Sequence, residues 1–249
     1  MTYSIKFLLA LLLSLTLATA VADCTDPPAR GVLWLSCDKQ NLDLRGVDLR
    51  DAILTRSNFN GADLRDAKLS GAELNFALLK NTKLDKARLN NARLTGARLD
   101  SSSLKQANLN GAKLNRAILD HADLTGTRIN KASLSQASLI GTDLSHSSLV
   151  DSNLSQANLN NATLQHSDLS HADLTRANLE DAKLNHATMV ETNLEKANLL
   201  FTDLSNSNMT KARLVNANIN ETILDNARLD KAQWVDHRKC REQSIGSCR

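Results

Sequence analysis

A large apolar residue recurs at every fifth position from Leu44 to Trp234. Two positions before each of them stands a small residue, which is Ala in 25 cases, Thr in six and Ser in six, after Leu42 and Val47 at the start. The register never slips, so the pattern predicts one uninterrupted repeat without an internal linker. Of its 39 large positions 33 are Leu, and the others are Phe59, Ile129, Met189, Met209, Ile219 and Trp234.

A period of five fits neither regular secondary structure. On an α-helix five residues advance by roughly 500°, so successive Leu side chains would drift around the surface. On a strand an odd spacing sends alternate Leu side chains to opposite faces. All of them point one way only if the chain turns once per pentad. The pattern therefore predicts a closed coil with Leu and the small residue inside and three polar positions outside.

Units such as Ala62-Asp63-Leu64-Arg65-Asp66 and Ala107-Asn108-Leu109-Asn110-Gly111 resemble the pentapeptide-repeat family over residues 42–235. The resemblance implies an all-β fold, a right-handed quadrilateral β-helix with four pentads per coil and about ten coils. Column spacing alone is ambiguous, because Gly96, Gly111, Gly126 and Gly141 repeat at 15, which would suit a three-sided coil. With four pentads per coil, one predicted core ladder consists of Leu64, Leu84, Leu104, Leu124, Leu144, Leu164, Leu184 and Leu204.

Residues 1–22 have the features of a signal peptide. Lys6 precedes an apolar run, and Ala20-Val21-Ala22 forms an A-x-A cleavage site. The alternative is an N-terminal anchor, although the run is short for a membrane span. Asp23 before Cys24 excludes a lipoprotein signal. We therefore expect an exported chain, periplasmic or secreted, that begins at Asp23 and has no transmembrane segment.

The four cysteines, Cys24, Cys37, Cys240 and Cys248, lie at the two ends of the chain. An even number in an exported protein indicates disulfides, and of three possible connectivities the local pairs are the simplest. The spacings do not match a zinc motif. We expect an N-terminal cap at 23–41 and a C-terminal cap at 236–249. Lys39 occupies a Leu position, so we expect the closed coil to begin after it.

The sequence offers no constellation for catalysis. A lumen filled with Leu leaves no cleft, and phosphate-loop, G-x-S-x-G and H-E-x-x-H motifs are absent from the sequence. Aromatic residues make up 3% of the chain, which is unusual for a globular enzyme. We expect neither an enzyme nor a cofactor.

His146, His166 and His186 fall in one column at a spacing of four pentads. Stacked imidazoles would hold a metal ion or respond to pH. The alternative is a solvated turn position that accepts any polar residue, because Asn206 and Asn226 continue the column.

Charge is unevenly distributed along the repeat. Residues 41–140 contain 16 basic and 10 acidic residues, whereas residues 141–240 contain 9 and 13. Such a surface is either simply solvated or contacts an anionic partner such as a phosphate-bearing lipid or a cell-wall polymer. Export and the scarcity of aromatic residues disfavour nucleic acid. The densest basic segment contains Lys80, Lys83, Lys86, Arg88, Arg93 and Arg98.

The leading functional hypothesis is an exported, non-enzymatic rod that binds proteins or a cell-envelope polymer, or serves as a structural scaffold. Some members of the family mimic DNA and protect a topoisomerase, but they are acidic and cytoplasmic, so we regard this as an alternative. A metal- or pH-responsive protein is another. The predicted contact surface consists of Leu200, Phe201, Val215, Ile223 and Val235.

Overall fold

The computed structural model describes residues 23–249, so the predicted signal peptide lies outside the described residues. Parallel β-bridges join positions four pentads apart and recur at every fifth residue, from Leu33–Ile53 to Arg213–Gln233. Within 23–249 each contact between coils is an isolated bridge, and no helix is present. The protein is therefore an all-β solenoid in which four pentads return the chain to the same face. The 15-residue spacing of the glycines does not correspond to the length of one coil, which is 20 residues. The handedness of the coil stays a prediction.

Each pentad makes one turn and three bonds to neighbouring coils. In the unit at Leu64, the Ala67 amide donates to the Leu64 carbonyl at 3.1 Å, and Asp66 between them has a φ of 59°. A positive φ at the third residue is the geometry of a type II turn. The amides of Leu64 and Asp66 donate to the next coil at 2.7 and 3.0 Å, and that of Asp63 donates to the preceding coil at 2.9 Å.

The remaining amide of the pentad explains why Asp or Asn so often precedes Leu. The Asp63 Oδ1 accepts a bond from the Arg65 amide at 3.3 Å, and the Asn58 Oδ1 accepts one from Asn60 at 3.1 Å. Short carboxylate and amide side chains favour such local bonds. The repeat thus pairs its backbone polar groups within each turn and between coils, as a buried backbone requires.

The lumen is filled by the two apolar registers. Burial of each Leu contributes about 1.5–3 kcal/mol. Where Thr replaces Ala, its hydroxyl forms a hydrogen bond within the lumen. Thr82 Oγ1, for example, donates to the Phe59 carbonyl at 2.8 Å. The predicted ladder is no more than 1% exposed at any of its members, Leu64, Leu84, Leu104, Leu124, Leu144, Leu164, Leu184 and Leu204.

We name the four faces by their bridge columns, in the order in which the chain follows them. Face A runs from Asp43 to Ile223, and face B runs from Asp48 to Arg228. Face C runs from Leu33 to Gln233, and face D from Asp38 to Asn218. Because the chain visits them in turn, face B lies opposite face D.

At the N-terminal end the coil begins earlier than the predicted boundary at residue 42. Bridges already start at Leu33, and Lys39 lies inside this end rather than outside the coil. Its ammonium donates to the Cys24 carbonyl at 2.7 Å and lies 3.7 Å from the centre of the Trp34 ring. A carbonyl and a π face stabilise the buried cation, which is why a Leu position tolerates Lys. The Cys24–Cys37 disulfide closes this cap.

At the C-terminal end the chain leaves the repeat and turns back on the last coil. Two antiparallel bridges, Arg228–Ile245 and Gln233–Lys239, attach the cap, and the Cys240–Cys248 disulfide closes it. In the described part of the chain no helix is long and apolar enough to cross a membrane.

Candidate interaction surfaces

The C-terminal cap covers only half of the edge of the last coil. On faces B and C, the amides of Leu229 and Trp234 donate to cap carbonyls at 2.8 Å. On faces D and A, the amides of Ile219, Glu221 and Leu224 have no hydrogen-bond acceptor among residues 23–249. We call residues 217–226 the open edge. Unpaired strand-like edges are sites where another chain adds on.

Apolar side chains accompany the open edge. Ile219 and Leu224 are half-buried, whereas Leu199 and Leu204 one coil earlier are 0% exposed. Ile223 is 48% exposed, and it pairs with Asp203 in the previous coil. The unpaired backbone and the uncovered core therefore lie at the same place.

Only part of the predicted contact surface is at this edge. Phe201 is 53% exposed, and Leu200 beside it is half-buried at the corner between faces D and A. Val215 is buried at 2% exposure, and Val235, which accepts a bond from the Asn216 amide, is packed against the core. Val215 is therefore no surface residue. Val215 and Val235 lie at another corner, between faces C and D. Each follows a face C residue, Arg213 or Gln233, by two positions.

The basic segment singled out in the sequence does not form one patch. Lys83 lies on face A, Arg88 on face B and Arg93 on face C, while Arg98 lies on face D. One coil of four pentads distributes its charges around the whole rod. Net charge per segment is therefore a poor guide to the surface that a ligand would meet.

The structure instead collects basic residues from successive coils on face B. A groove of about 910 Å³ there is lined by five basic residues and one acidic residue, Asp66. Sequence analysis missed this basic groove, although Lys68, Arg88 and Arg128 are separated by whole coils of four pentads and so share one column. The five basic residues are Arg50, Lys68, Lys86, Arg88 and Arg128.

Several charges elsewhere are neutralised by local ion pairs. Near the open edge, Lys211 contacts Glu191 and Arg213 contacts Glu195, both at 2.7 Å. The hydrogen bond from Lys211 holds the pKa of the Glu191 carboxyl below its usual range. At the opposite end, hydrogen bonds from Arg45 and Arg50 lower the pKa of Asp43 and of Asp48 to about 2.

The three histidines of the predicted column stack face to face. The ring centroids of His146 and His166 are 5.1 Å apart, those of His166 and His186 are 4.9 Å apart, and the ring planes differ by 4° and 7°. Parallel rings at this spacing do not direct three nitrogens to one point. Within residues 23–249 no group of three His, Cys, Asp or Glu residues is arranged to hold a metal ion. The geometry is that of an exposed stacking ladder.

All four cysteines are engaged in disulfides, in the local pairs Cys24–Cys37 and Cys240–Cys248. They are thus not available as nucleophiles or metal ligands. Disulfides of this kind are typical of an oxidising compartment.

Comparison with protein-family models gives matches along most of the chain. The model described as pentapeptide repeats (8 copies) matches residues 40–71, 72–111, 172–210 and 197–233. The model described as pentapeptide repeat region matches residues 112–189. No curated protein matches the chain.

Solved structures also match the chain. QnrB1, a plasmid-mediated fluoroquinolone resistance protein, matches in a trypsin-treated form at 18% identity, covering 66% of this chain and 83% of its own, with a TM-score of 0.59. HetL, a pentapeptide repeat protein involved in heterocyst differentiation regulation in the cyanobacterium Nostoc sp., is 28% identical and covers 81% of this chain and 92% of its own, with a TM-score of 0.38. By the matches that span its repeats, the chain belongs to the pentapeptide-repeat family.

Proposed function

We propose that the protein is an exported, non-enzymatic solenoid that acts as a protein-interaction scaffold through the open edge. The observation that carries this proposal is the coincidence of unpaired amides and uncovered apolar side chains at residues 217–226. The filled lumen supports it, because function then depends on the outer surface and the ends of the rod. The two disulfides support export.

The open edge suits an extended segment of another protein. The amides of Ile219, Glu221 and Leu224 need carbonyl acceptors, which a strand supplies from its backbone. Apolar side chains on such a strand would cover Ile219 and Leu224, which are half-buried. Phe201 and Ile223 would enlarge the apolar contact. We therefore favour strand addition by a partner protein.

The topoisomerase-protecting alternative receives no support beyond the fold. The structure of QnrB1 matches this chain at 18% identity, and a likeness at that level concerns the fold only. DNA mimicry needs a continuous acidic surface, whereas face B carries a basic groove.

The test uses paired variants of Asp23–Arg249 as baits against the envelope and secreted fractions of the host. F201K with I223K places one Lys on the open edge and another beside it in the preceding coil, where they oppose strand addition. F76K with I53K is the matched control, because Phe76 and Ile53 are exposed at 54% and 38% and lie in the N-terminal half. A partner purified from the wild-type bait should bind the control and not the edge variant.

The contact itself is then measured by hydrogen exchange. Bound partner should slow exchange of the amides in residues 217–226. Equal binding to both variants, or protection elsewhere only, would refute the proposal. Concentration-dependent self-association that the edge variant abolishes, without any partner, would assign the edge to a second copy of this chain instead.

A further inference from the structure

The groove on face B contains cations that the protein itself leaves unneutralised. Among residues 23–249, Lys68, Lys86, Arg88 and Arg128 have no carboxylate within 4.0 Å. All four are exposed. On neighbouring face C, by contrast, Arg93 contacts Glu73 at 3.3 Å. The groove therefore has free positive charge to offer a ligand.

The arrangement carries an electrostatic cost in the free protein. Lys68 and Arg88 are direct bridge partners in adjacent coils. Like charges in directly opposed positions of a sheet are destabilising. An anionic ligand lying between them would remove this repulsion and add charge-assisted hydrogen bonds.

The spacing of the cations suits a polymer rather than a single small anion. Coils stack at roughly 4.8 Å, so Lys68 and Arg88 repeat at that distance and Arg128 lies roughly 14 Å from Lys68 along the rod. One sugar of an extended glycan advances by about one such coil. A chain with one carboxylate on each sugar would therefore meet cations at the coils of Lys68, Arg88 and Arg128, and the amide of Asn108 at the coil between the last two.

Neutral donors fill the space between the cations. The side-chain amide nitrogens of Asn90 and Asn108 line the groove and make no hydrogen bond to residues 23–249. Gln106 and Ser70 also line it. Amides and hydroxyls bind sugar hydroxyl groups as donors and acceptors.

The lining also favours a glycan over other polyanions. It contains no aromatic residue on which a nucleobase would stack, and single-stranded nucleic acid binding relies on such stacking. It contains no apolar side chain that would enter a bilayer. We propose that the groove on face B is a binding site for an acidic polysaccharide, held by Lys68, Lys86, Arg88 and Arg128.

The test measures the anisotropy of an end-labelled oligogalacturonate long enough to span four coils, titrated with disulfide-bonded Asp23–Arg249. R88E with R128E reverses two charges in the groove. K83E with K113E is the matched control, because it changes the net charge equally on faces A and C and neither lysine is ion-paired among the described residues. Both variants replace exposed residues, and equal melting temperatures establish that both are folded.

We expect the groove variant to bind about tenfold more weakly or worse, since it loses two charge-assisted contacts, and the control to stay within about twofold of wild type. Neutral dextran should not bind. Equal loss in both variants would overturn the proposal, because net charge rather than the groove would then explain binding. Absence of oligogalacturonate binding would overturn it too. Tighter, groove-dependent binding of single-stranded DNA or of phosphatidylglycerol vesicles would assign the groove to that ligand instead. This test is independent of the open edge.

Discussion

The N-terminal and C-terminal halves of this solenoid share one core and differ in what they leave unsatisfied. In the N-terminal half the backbone is paired around Lys68 and Arg88, but their charges are not neutralised. In the C-terminal half Lys211 and Arg213 are neutralised, but the backbone of the open edge is unpaired. A uniform repeat therefore leaves two different kinds of unsatisfied group on one rod without altering its interior.

The largest expected effect is the difference in lost stability between a substitution in the interior and one at the open edge. Leu104→Ala should lower the free energy of unfolding by about 2–5 kcal/mol, because Leu104 is fully buried between coils. Leu224→Ala should cost less than half as much, because Leu224 is already partly exposed to water. Urea denaturation at neutral pH measures both. Equal losses would mean that the last coil is as well covered as the middle ones.

The C-terminal cap should account for the next largest effect. Replacing Cys240 and Cys248 together by Ala removes a short loop constraint and should lower the free energy of unfolding by about 2–3 kcal/mol. The amides of Leu229 and Trp234 should then exchange as fast as those of the open edge, since the cap carbonyls that accept from them are released. Replacing Cys24 and Cys37 together by Ala is the matched control, because it removes the disulfide at the opposite end and leaves this one intact. Unchanged exchange of these two amides would show that the cap stays in place without the disulfide.

Single charge reversals should change the free energy of unfolding in opposite directions in the two halves. Arg88→Glu should raise the free energy of unfolding by up to about 1 kcal/mol, because it replaces a repulsion with Lys68 by an attraction. Arg213→Glu should lower it by a similar amount at most, because it breaks the contact with Glu195. Thermal melts at low ionic strength resolve the sign. Two changes of the same sign would contradict the contrast between the halves.

The smallest expected effect is on stability at low pH. The pKa of Asp43 and that of Asp48 are about 2 in the folded protein, against a usual 3.8, because Arg45 and Arg50 donate hydrogen bonds to them. Their contribution to stability is present above pH 3.8 and is lost as pH falls through 2. Asp43→Asn with Asp48→Asn should therefore flatten the decline in stability between pH 4 and 2. Urea midpoints across this range measure it, and parallel curves for wild type and variant would exclude the linkage.

The sequence predicts the interior well because burial repeats with the pentad. Any residue in the register of Leu64 is directed inward, whatever its neighbours are. The number of pentads per coil came from family resemblance, since a period of five says only that the chain turns. Lys39 shows the limit of the rule, because a carbonyl and the Trp34 ring stabilise a cation that the pattern would exclude.

The candidate sites were harder to predict than the core. Face membership depends on position within a coil of four pentads, so Lys68 and Arg88 share a face whereas Arg88 and Arg93 do not. That signal was present in the sequence and was obscured by counting charge along the chain. The open edge carries no such signal. It depends on the path of residues 236–249, which lie outside the repeat and cover faces B and C only.

Hydrogen exchange of the free protein tests most directly whether one coil is half open. Residues 219–224 and 229–234 belong to the same last coil, and the cap accepts hydrogen bonds from the amides of Leu229 and Trp234 in the second segment only. We predict rapid exchange of the amides of Ile219, Glu221 and Leu224, together with strong protection of those of Leu229 and Trp234. Equal protection of the two segments would contradict the account, because the edge would then be closed and would offer nothing to a partner strand.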